Sequence, residues 1–122
     1  MKCLKRGTDE IYAVKVIKNK FAYTKQAMTE IRIYKKLMEE IPYSQDYIVE
    51  LHDYFSFRNH ICLVFEMLNV PLFELLRLSG FTGLSMRLVQ RLSSQIIDGM
   101  ACLEKGKVIH CDLKPENVLF VE

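Results

Sequence analysis

The fold is decided by one stretch of the sequence, residues 108–119, which reads VIHCDLKPENVL. It brings a carboxylate, an ammonium group and a carboxamide together within six residues, at Asp112, Lys114 and Asn117. One interpretation is a polar surface turn, in which Asp112 and Asn117 bond the local backbone and Pro115 fixes its own φ. The other is a catalytic loop, for which the evidence is a resemblance over the whole stretch and not any single residue.

Upstream of this stretch the sequence predicts strands first and helices afterwards. Alternating and β-branched residues indicate two hairpins, and 3.6-residue periodicity indicates the helices. The predicted elements are strands 1–5 and 11–17, a helix over 24–39 closed by Pro42, strands 49–57 and 60–65 around an Arg58-Asn59 turn, a short helix from Pro71 to Gly80 and a longer one from the cap Ser85 to Gly106. This order predicts an α+β fold with an antiparallel sheet, in two layers or lobes joined near residues 66–69.

Lys15 and Glu30 form a second candidate site. Lys15 lies in the second predicted strand, and Glu30 lies on the apolar face of the predicted helix, between Ala27 and Tyr34. A carboxylate that faces a core needs a cation to offset its desolvation, and Lys15 is the obvious partner. The alternative is that both side chains extend along their stems into water. We expect a salt bridge between them.

Residues 110–117 resemble the catalytic loop of protein kinases, which reads H-R-D-L-x-x-x-N. The resemblance implies that Asp112 accepts the proton of a substrate hydroxyl, that Asn117 holds a magnesium ion, and that Lys114 lies near the transferred phosphoryl group. For His110 it implies a structural place, packed beneath the loop, and no role as a base.

Residues 13–15, Ala-Val-Lys, resemble the kinase V-A-I-K strand. The resemblance implies that Lys15 holds the α- and β-phosphates of ATP and pairs with Glu30. It also implies that residues 65–68 are the hinge that offers backbone groups to adenine, with Phe65 as gatekeeper. The other implied adenine contacts are Ala13, Val49, Glu66, Met67, Leu68 and Leu119. For the apolar members of this set, ordinary core packing is an equally open interpretation, compatible with ligand contact.

Residues 57–68, FRNHICLVFEML, together with HCDLKPEN at 110–117, resemble the dual-specificity tyrosine-regulated kinases of the CMGC group. The likeness covers essentially the whole chain. Most kinases carry an Arg where this chain has Cys111, and a thiol cannot grip a phosphate as a guanidinium does. In the resembled family a Cys is usual at this position, so Cys111 fits the resemblance.

The resemblance implies a partial kinase N-lobe over residues 1–66, and the hinge with the start of the C-lobe over 67–122. The implied activity is transfer of the ATP γ-phosphoryl to Ser or Thr of protein substrates, with Tyr autophosphorylation, using ATP and Mg²⁺. A Gly-rich loop and a D-F-G motif are not found in the sequence. We therefore expect no phosphoryl transfer and at most weak nucleotide binding from residues 1–122 alone.

Two other interpretations of function stay open. The chain could be a truncated kinase lobe that acts as a non-catalytic binding module, or a fragmentary gene product, and an unrelated α+β domain is a third, remote reading. A net charge of +2, with basic and acidic residues mixed along the chain, lacks the basic stripe of a nucleic-acid-binding protein. We expect reduced cysteines, no membrane span and an intracellular location, in the cytoplasm or nucleus. The oligomeric state is left open.

Overall fold

The computed structural model describes residues 1–121, which divide into two compact units. The first unit contains residues 1–45 and 49–67, and the second contains 46–48 together with the rest of the chain from Leu68. The polypeptide therefore passes from one unit to the other three times. Among the described residues, no helix is long and apolar enough to cross a membrane.

The first unit is built on an antiparallel sheet. Its strands within residues 1–121 are β1 (Lys2–Leu4), β2 (Ile11–Val16), β3 (Leu51–Phe57) and β4 (His60–Glu66), in the spatial order β1-β2-β4-β3. In the central pair, Ala13 lies opposite Phe65 and Lys15 lies opposite Leu63. Both predicted hairpins are present, and the register places Lys15 on the strand next to the most buried part of the sheet.

The turn between β3 and β4 is made by Arg58 and Asn59, as the sequence predicted. Both residues have positive φ, 48° and 65°. A two-residue hairpin needs this left-handed backbone because it matches the twist of the flanking strands. Asn adopts it readily, whereas Arg is an unusual choice for it.

The helix α1 (Phe21–Glu40) packs against the sheet. It begins three residues before the predicted start. The sequence did not reveal this start, because the residue before the helix, Lys20, forms no side-chain cap. Ala27 and Ile31 on its apolar face are buried with Leu63 and Phe65 of β4. These residues are the core of the first unit, and the apolar stripe predicted for this helix faces it.

The second unit contains α2 (Leu72–Leu78) and α3 (Met86–Lys105). We expected Pro71 to be the first residue of α2. It has an extended conformation with ψ of 153°, so it is instead the residue before the helix. Ser85 caps α3 as predicted, since its Oγ accepts a hydrogen bond from the Leu88 N–H. Gly106 follows α3 with a right-handed φ of −74°. The left-handed residue that ends the helix is Lys107, with φ of 56°.

A short 3₁₀ segment, Pro42–Asp46, follows α1 and leads into the three residues that belong to the second unit. One of these, Tyr47, lies against Gly99 of α3, where an added Cβ would come within 3.4 Å of the Tyr47 Cβ. Any side chain at position 99 would therefore touch this segment. Leu92, Cys102 and Leu103 are the buried residues of α3.

Candidate active-site residues

Lys15 and Glu30 form the salt bridge that the sequence predicted. The Lys15 Nζ lies 2.7 Å from Glu30 Oε1 and 2.9 Å from Oε2, so the ammonium group binds both carboxylate oxygens. The strand β2 presents Lys15, and the helix α1 presents Glu30, which lies three residues after Ala27 and directly before Ile31. Packing of these two apolar residues against β4 holds the helix at the distance the ion pair requires.

The environment of this pair differs from our expectation. The side chains of Lys15 and Glu30 are 51% and 31% exposed, so the pair lies at the edge of the core and water reaches it. Desolvation of a buried carboxylate is thus not what brings the two groups together. Tyr34, four residues after Glu30, is partly buried, and this burial, followed by the Glu30 charge, raises the phenol pKa to about 12.

The apolar residues expected around adenine in the first unit contribute to the core. Phe65 is buried and packs edge-on against Tyr34, with ring centroids 5.4 Å apart. Ala13 and Val49 are partly buried against the same cluster. All three residues therefore pack in or against the core. Their contact with adenine stays a prediction.

The sequence did not reveal the hydrogen bonds of Glu66. Its backbone N–H donates to the Glu50 carbonyl over 3.1 Å, and its Oε1 accepts from the Glu50 N–H over 2.8 Å. The start of the expected hinge is thereby fixed to the residue that precedes β3. Met67 is exposed and ends the first unit, while Leu68 is partly buried and begins the second.

Asp112, Lys114 and Asn117 form a compact cluster in the second unit. The Lys114 Nζ lies 3.0 Å from Asp112 Oδ2. The Asn117 Nδ2 donates to the same oxygen over 3.0 Å and to the Asp112 carbonyl over 2.8 Å. Asn117 ends a short 3₁₀ turn, Pro115–Asn117, which directs its side chain back to Asp112.

These contacts shift the pKa values of the cluster. The hydrogen bond from Lys114, and then that from Asn117, lowers the pKa of Asp112, and the same bond from Asp112 raises the pKa of Lys114. Both contacts engage Oδ2 of Asp112, which leaves Oδ1 as the oxygen that can accept a further proton donor. Asn117 uses its Nδ2, so its Oδ1 is the atom that could bind a cation.

His110 and Cys111 shape the loop before Asp112. The Asp112 N–H donates to His110 Nδ1 over 3.2 Å, which makes that ring nitrogen an acceptor. The His110 side chain is exposed, so our expectation that it packs beneath the loop was wrong, although its hydrogen bond is structural. Cys111 has a positive φ of 65°, which a residue with a Cβ rarely adopts.

The segment after the cluster pairs with the segment before α2. Leu119, the last expected adenine contact, forms an isolated antiparallel bridge with Pro71. The Leu72 N–H donates to the Val118 carbonyl over 2.7 Å, and the Asn69 N–H donates to the Phe120 carbonyl over 2.9 Å. This pairing, which the sequence did not predict, fixes the chain on the carboxyl side of Asn117. Leu119 itself is exposed.

Comparison with known proteins gives the family of the chain. The protein kinase domain family matches residues 1–122. The chain belongs to the protein kinase family. Its antiparallel sheet with one packed helix, followed by further helices, is that of the N-lobe and the start of the C-lobe of the kinase fold.

The relatives of this kinase chain include dual-specificity kinases, as the sequence indicated. It is 44% identical over 97% of its length to a dual specificity protein kinase YAK1 homolog of Arabidopsis thaliana. It is 43% identical over 98% to the dual specificity protein kinase YAK1 of Saccharomyces cerevisiae, and 36% identical over 99% to the human dual specificity tyrosine-phosphorylation-regulated kinase 4. The chain spans 12%, 15% and 23% of the length of these three proteins.

Proposed function

We propose that a protein containing this chain transfers the γ-phosphoryl group of ATP to Ser or Thr hydroxyls of protein substrates, and to its own Tyr. The observation that carries the proposal is the arrangement at Asp112, where Lys114 and Asn117 both bind Oδ2. A carboxylate held in this way stays ionised at neutral pH and keeps Oδ1 for the hydrogen of an incoming hydroxyl group.

The residues fit ATP with Mg²⁺, which would supply the phosphoryl group and neutralise its charge when bound. Lys15 would hold the α- and β-phosphates, because Glu30 fixes its ammonium group while half of the side chain stays exposed. Asn117 would bind the metal through Oδ1. Lys114 would stabilise negative charge on the transferred group. Lys15, Glu30, Asp112 and Lys114 are thus the proposed catalytic residues.

We assign the adenine contacts to the remaining candidates. Ala13, Val49 and Phe65 offer apolar surface at the edge of the core, and Leu119 is exposed after Asn117. The backbone of residues 66–68 would bind the adenine edge, with Glu66 held in place by Glu50. We place the N-lobe in residues 1–66 and the C-lobe in 67–122, and we expect the protein in the cytoplasm or nucleus.

A non-catalytic binding role is the second candidate. It is favoured by apolar side chains on α3 that are exposed within residues 1–121, such as Met86 and Ile97 at 71% and 65%. An exposed apolar surface of this kind is typical of a site for another protein. The two candidates differ in one property, because only the kinase needs the Asp112 carboxylate.

The test is a phosphoryl-transfer assay on a longer protein that contains this chain, with labelled ATP and a generic Ser/Thr substrate. Asp112→Asn should lower kcat by about 10²- to 10⁴-fold, because the proton acceptor is lost. Asp98→Asn is the matched control, since Asp98 lies on α3 outside the cluster, and it should retain kcat. Equal activity of Asp112→Asn and the unchanged protein would exclude the proposed mechanism, and no transfer by any of the three would favour the binding role.

A further inference from the structure

The Glu66 carboxylate replaces a backbone carbonyl as a hydrogen-bond acceptor at the end of the sheet. Glu66 ends β4, and Glu50 lies opposite it, next to the paired residues Leu51 and Phe65. The Glu66 N–H donates to the Glu50 carbonyl over 3.1 Å. In an antiparallel pair of this kind the two opposite residues exchange both backbone hydrogen bonds. The regular acceptor for the Glu50 N–H is therefore the carbonyl of Glu66.

The side chain of Glu66 takes this second bond. The Glu50 N–H donates to Glu66 Oε1 over 2.8 Å, in a partly buried position. A carboxylate oxygen is a stronger acceptor for an N–H than a neutral carbonyl is. The Glu66 carbonyl is thereby released from the bond that the ladder would give it, at the residue where the expected hinge starts. A partly buried carbonyl needs a donor, which water or a ligand supplies.

The neighbouring side chains hold the end of β4 without using the Glu66 carboxylate. The carboxylate of Glu50 lies towards His52, with its Oε1 3.5 Å from His52 Nδ1. The His52 ring packs edge-on against Tyr12, with centroids 5.1 Å apart. Tyr12 lies opposite Glu66 on β2. These contacts join β2 and β3 around the end of β4, so the position of the Glu66 backbone is fixed from both sides.

We propose that Glu66 is a positioning residue for the nucleotide, because its carboxylate keeps its own carbonyl free for the exocyclic amine of adenine. The inference rests on the proposed function, in which the backbone of residues 66–68 binds the adenine edge. A carbonyl accepts and an amine donates, so the two groups are complementary. Without the Glu66 side chain, the Glu50 N–H would bind this carbonyl and withdraw it from the nucleotide.

This arrangement selects among purine nucleotides. GTP carries a carbonyl at C6, where ATP has the amine, so two acceptors would face each other. Purine riboside 5′-triphosphate carries only a hydrogen at C6 and would leave the Glu66 carbonyl unpaired. A site that hydrogen-bonds an amine rejects an analogue that lacks it, because its own polar group is then unsatisfied. We therefore expect ATP to bind more tightly than either analogue.

The test compares the dissociation constants of ATP and purine riboside 5′-triphosphate, with Mg²⁺, by calorimetry on a longer protein that contains this chain. The unchanged protein should bind ATP at least about fivefold more tightly than the analogue. Glu66→Leu removes the acceptor at similar side-chain size. Its preference for ATP should fall below about twofold, because the Glu50 N–H takes the carbonyl. Glu66→Gln keeps an oxygen at the same position and should retain the preference.

Glu39→Leu is the matched control, since Glu39 is exposed on α1 and the substitution removes the same charge. This control should retain the preference for ATP. Circular dichroism establishes that each variant is folded, and Glu66→Ala replaces Glu66→Leu if that variant does not fold. The ratio of the two constants separates positioning from a purely structural role, because general damage to the site would weaken both nucleotides equally.

Three outcomes would each overturn the inference. They are an unchanged preference in Glu66→Leu, a lost preference in Glu66→Gln, and no preference in the unchanged protein. All three are independent of phosphoryl transfer, because binding is measured without a protein substrate. A protein that binds ATP with this preference but transfers phosphoryl groups equally well as Asp112→Asn would instead contradict the proposed reaction alone.

Discussion

The Lys15–Glu30 pair and the Asp112 cluster are built in opposite ways. The first joins a strand and a helix across 15 residues of sequence and depends on the packing of α1 against β4. The second lies within six residues and depends on the backbone of one loop, including the positive φ of Cys111. The position of the ion pair therefore depends on the core of the first unit. The cluster is set by local hydrogen bonds, and we expect it to tolerate loss of distant packing.

The largest expected effect comes from removing the core beneath the ion pair. Leu63 is fully buried, lies opposite Lys15 in the sheet, and packs with Ile31 of α1. Leu63→Ala should lower the free energy of unfolding of the first unit by about 2–5 kcal/mol through the lost burial and the cavity. Hydrogen exchange of the β2 and β4 amides measures this loss of unfolding free energy.

If the Asp112 cluster depends only on its own loop, Leu63→Ala should leave the hydrogen bonds of that loop unchanged. Exchange of the Asn117 amide, which bonds the Lys114 carbonyl, should keep its rate in Leu63→Ala. Leu78→Ala is the control, since Leu78 is 71% exposed and its truncation should cost less than about 0.5 kcal/mol. Faster exchange at Asn117 in Leu63→Ala would show that the cluster depends on the same core as the ion pair.

A smaller effect is expected at high pH. Burial and the Glu30 charge raise the pKa of Tyr34 to about 12 from the ordinary value of 10.0. Between these values the unfolded chain ionises while the folded chain does not. The contribution of Tyr34 to stability is therefore complete below pH 10 and is lost as pH rises towards 12, by an amount on the order of 2 kcal/mol.

Urea unfolding at pH 9.5 and 11.5 measures this loss. Tyr34→Phe should remove that part of the pH dependence, because the phenylalanine has no proton to lose. Tyr23→Phe replaces an exposed tyrosine of the same helix and should leave the loss in place. An identical pH dependence in Tyr34→Phe and the unchanged chain would refute the assignment to Tyr34.

The smallest expected effect is a titration shift in the loop. Lys114 is the main cause of the lowered Asp112 pKa and Asn117 is the second. Lys114→Met should therefore raise the Asp112 pKa towards its ordinary value by more than Asn117→Ala does. Carboxyl ¹³C NMR between pH 2 and 6 measures both shifts. If neither variant moved the titration, the hydrogen bonds of the cluster would not form in solution.

Elements with a strong pattern could be predicted from the sequence. The capping of α3 by Ser85 follows from a polar residue placed directly before an apolar stripe. Helix periodicity predicted the Lys15–Glu30 pair but not its exposure to water. Periodicity indicates which face of a helix a residue is on, and it does not indicate how much water reaches that residue. Glu30 lies at the edge of that face, so the pair is partly exposed.

What the sequence did not reveal depends on contacts between distant residues or on unusual backbone. Lys107 ends α3 in a conformation that the neighbouring Gly106 would adopt more easily. The bridge between Pro71 and Leu119 joins two segments without any strand pattern, and only their packing reveals it.

The three passages of the chain between the two units have a consequence for proteolysis. A single cut after Met67 would leave residues 46–48, which belong to the second unit, attached to the amino-terminal fragment. The packing of Tyr47 on Gly99 would then be a contact between the two fragments, with no covalent link across it. A nicked preparation that kept its size in solution and revealed the break only on a denaturing gel would show that residues 46–48 stay bound to α3 after the cut.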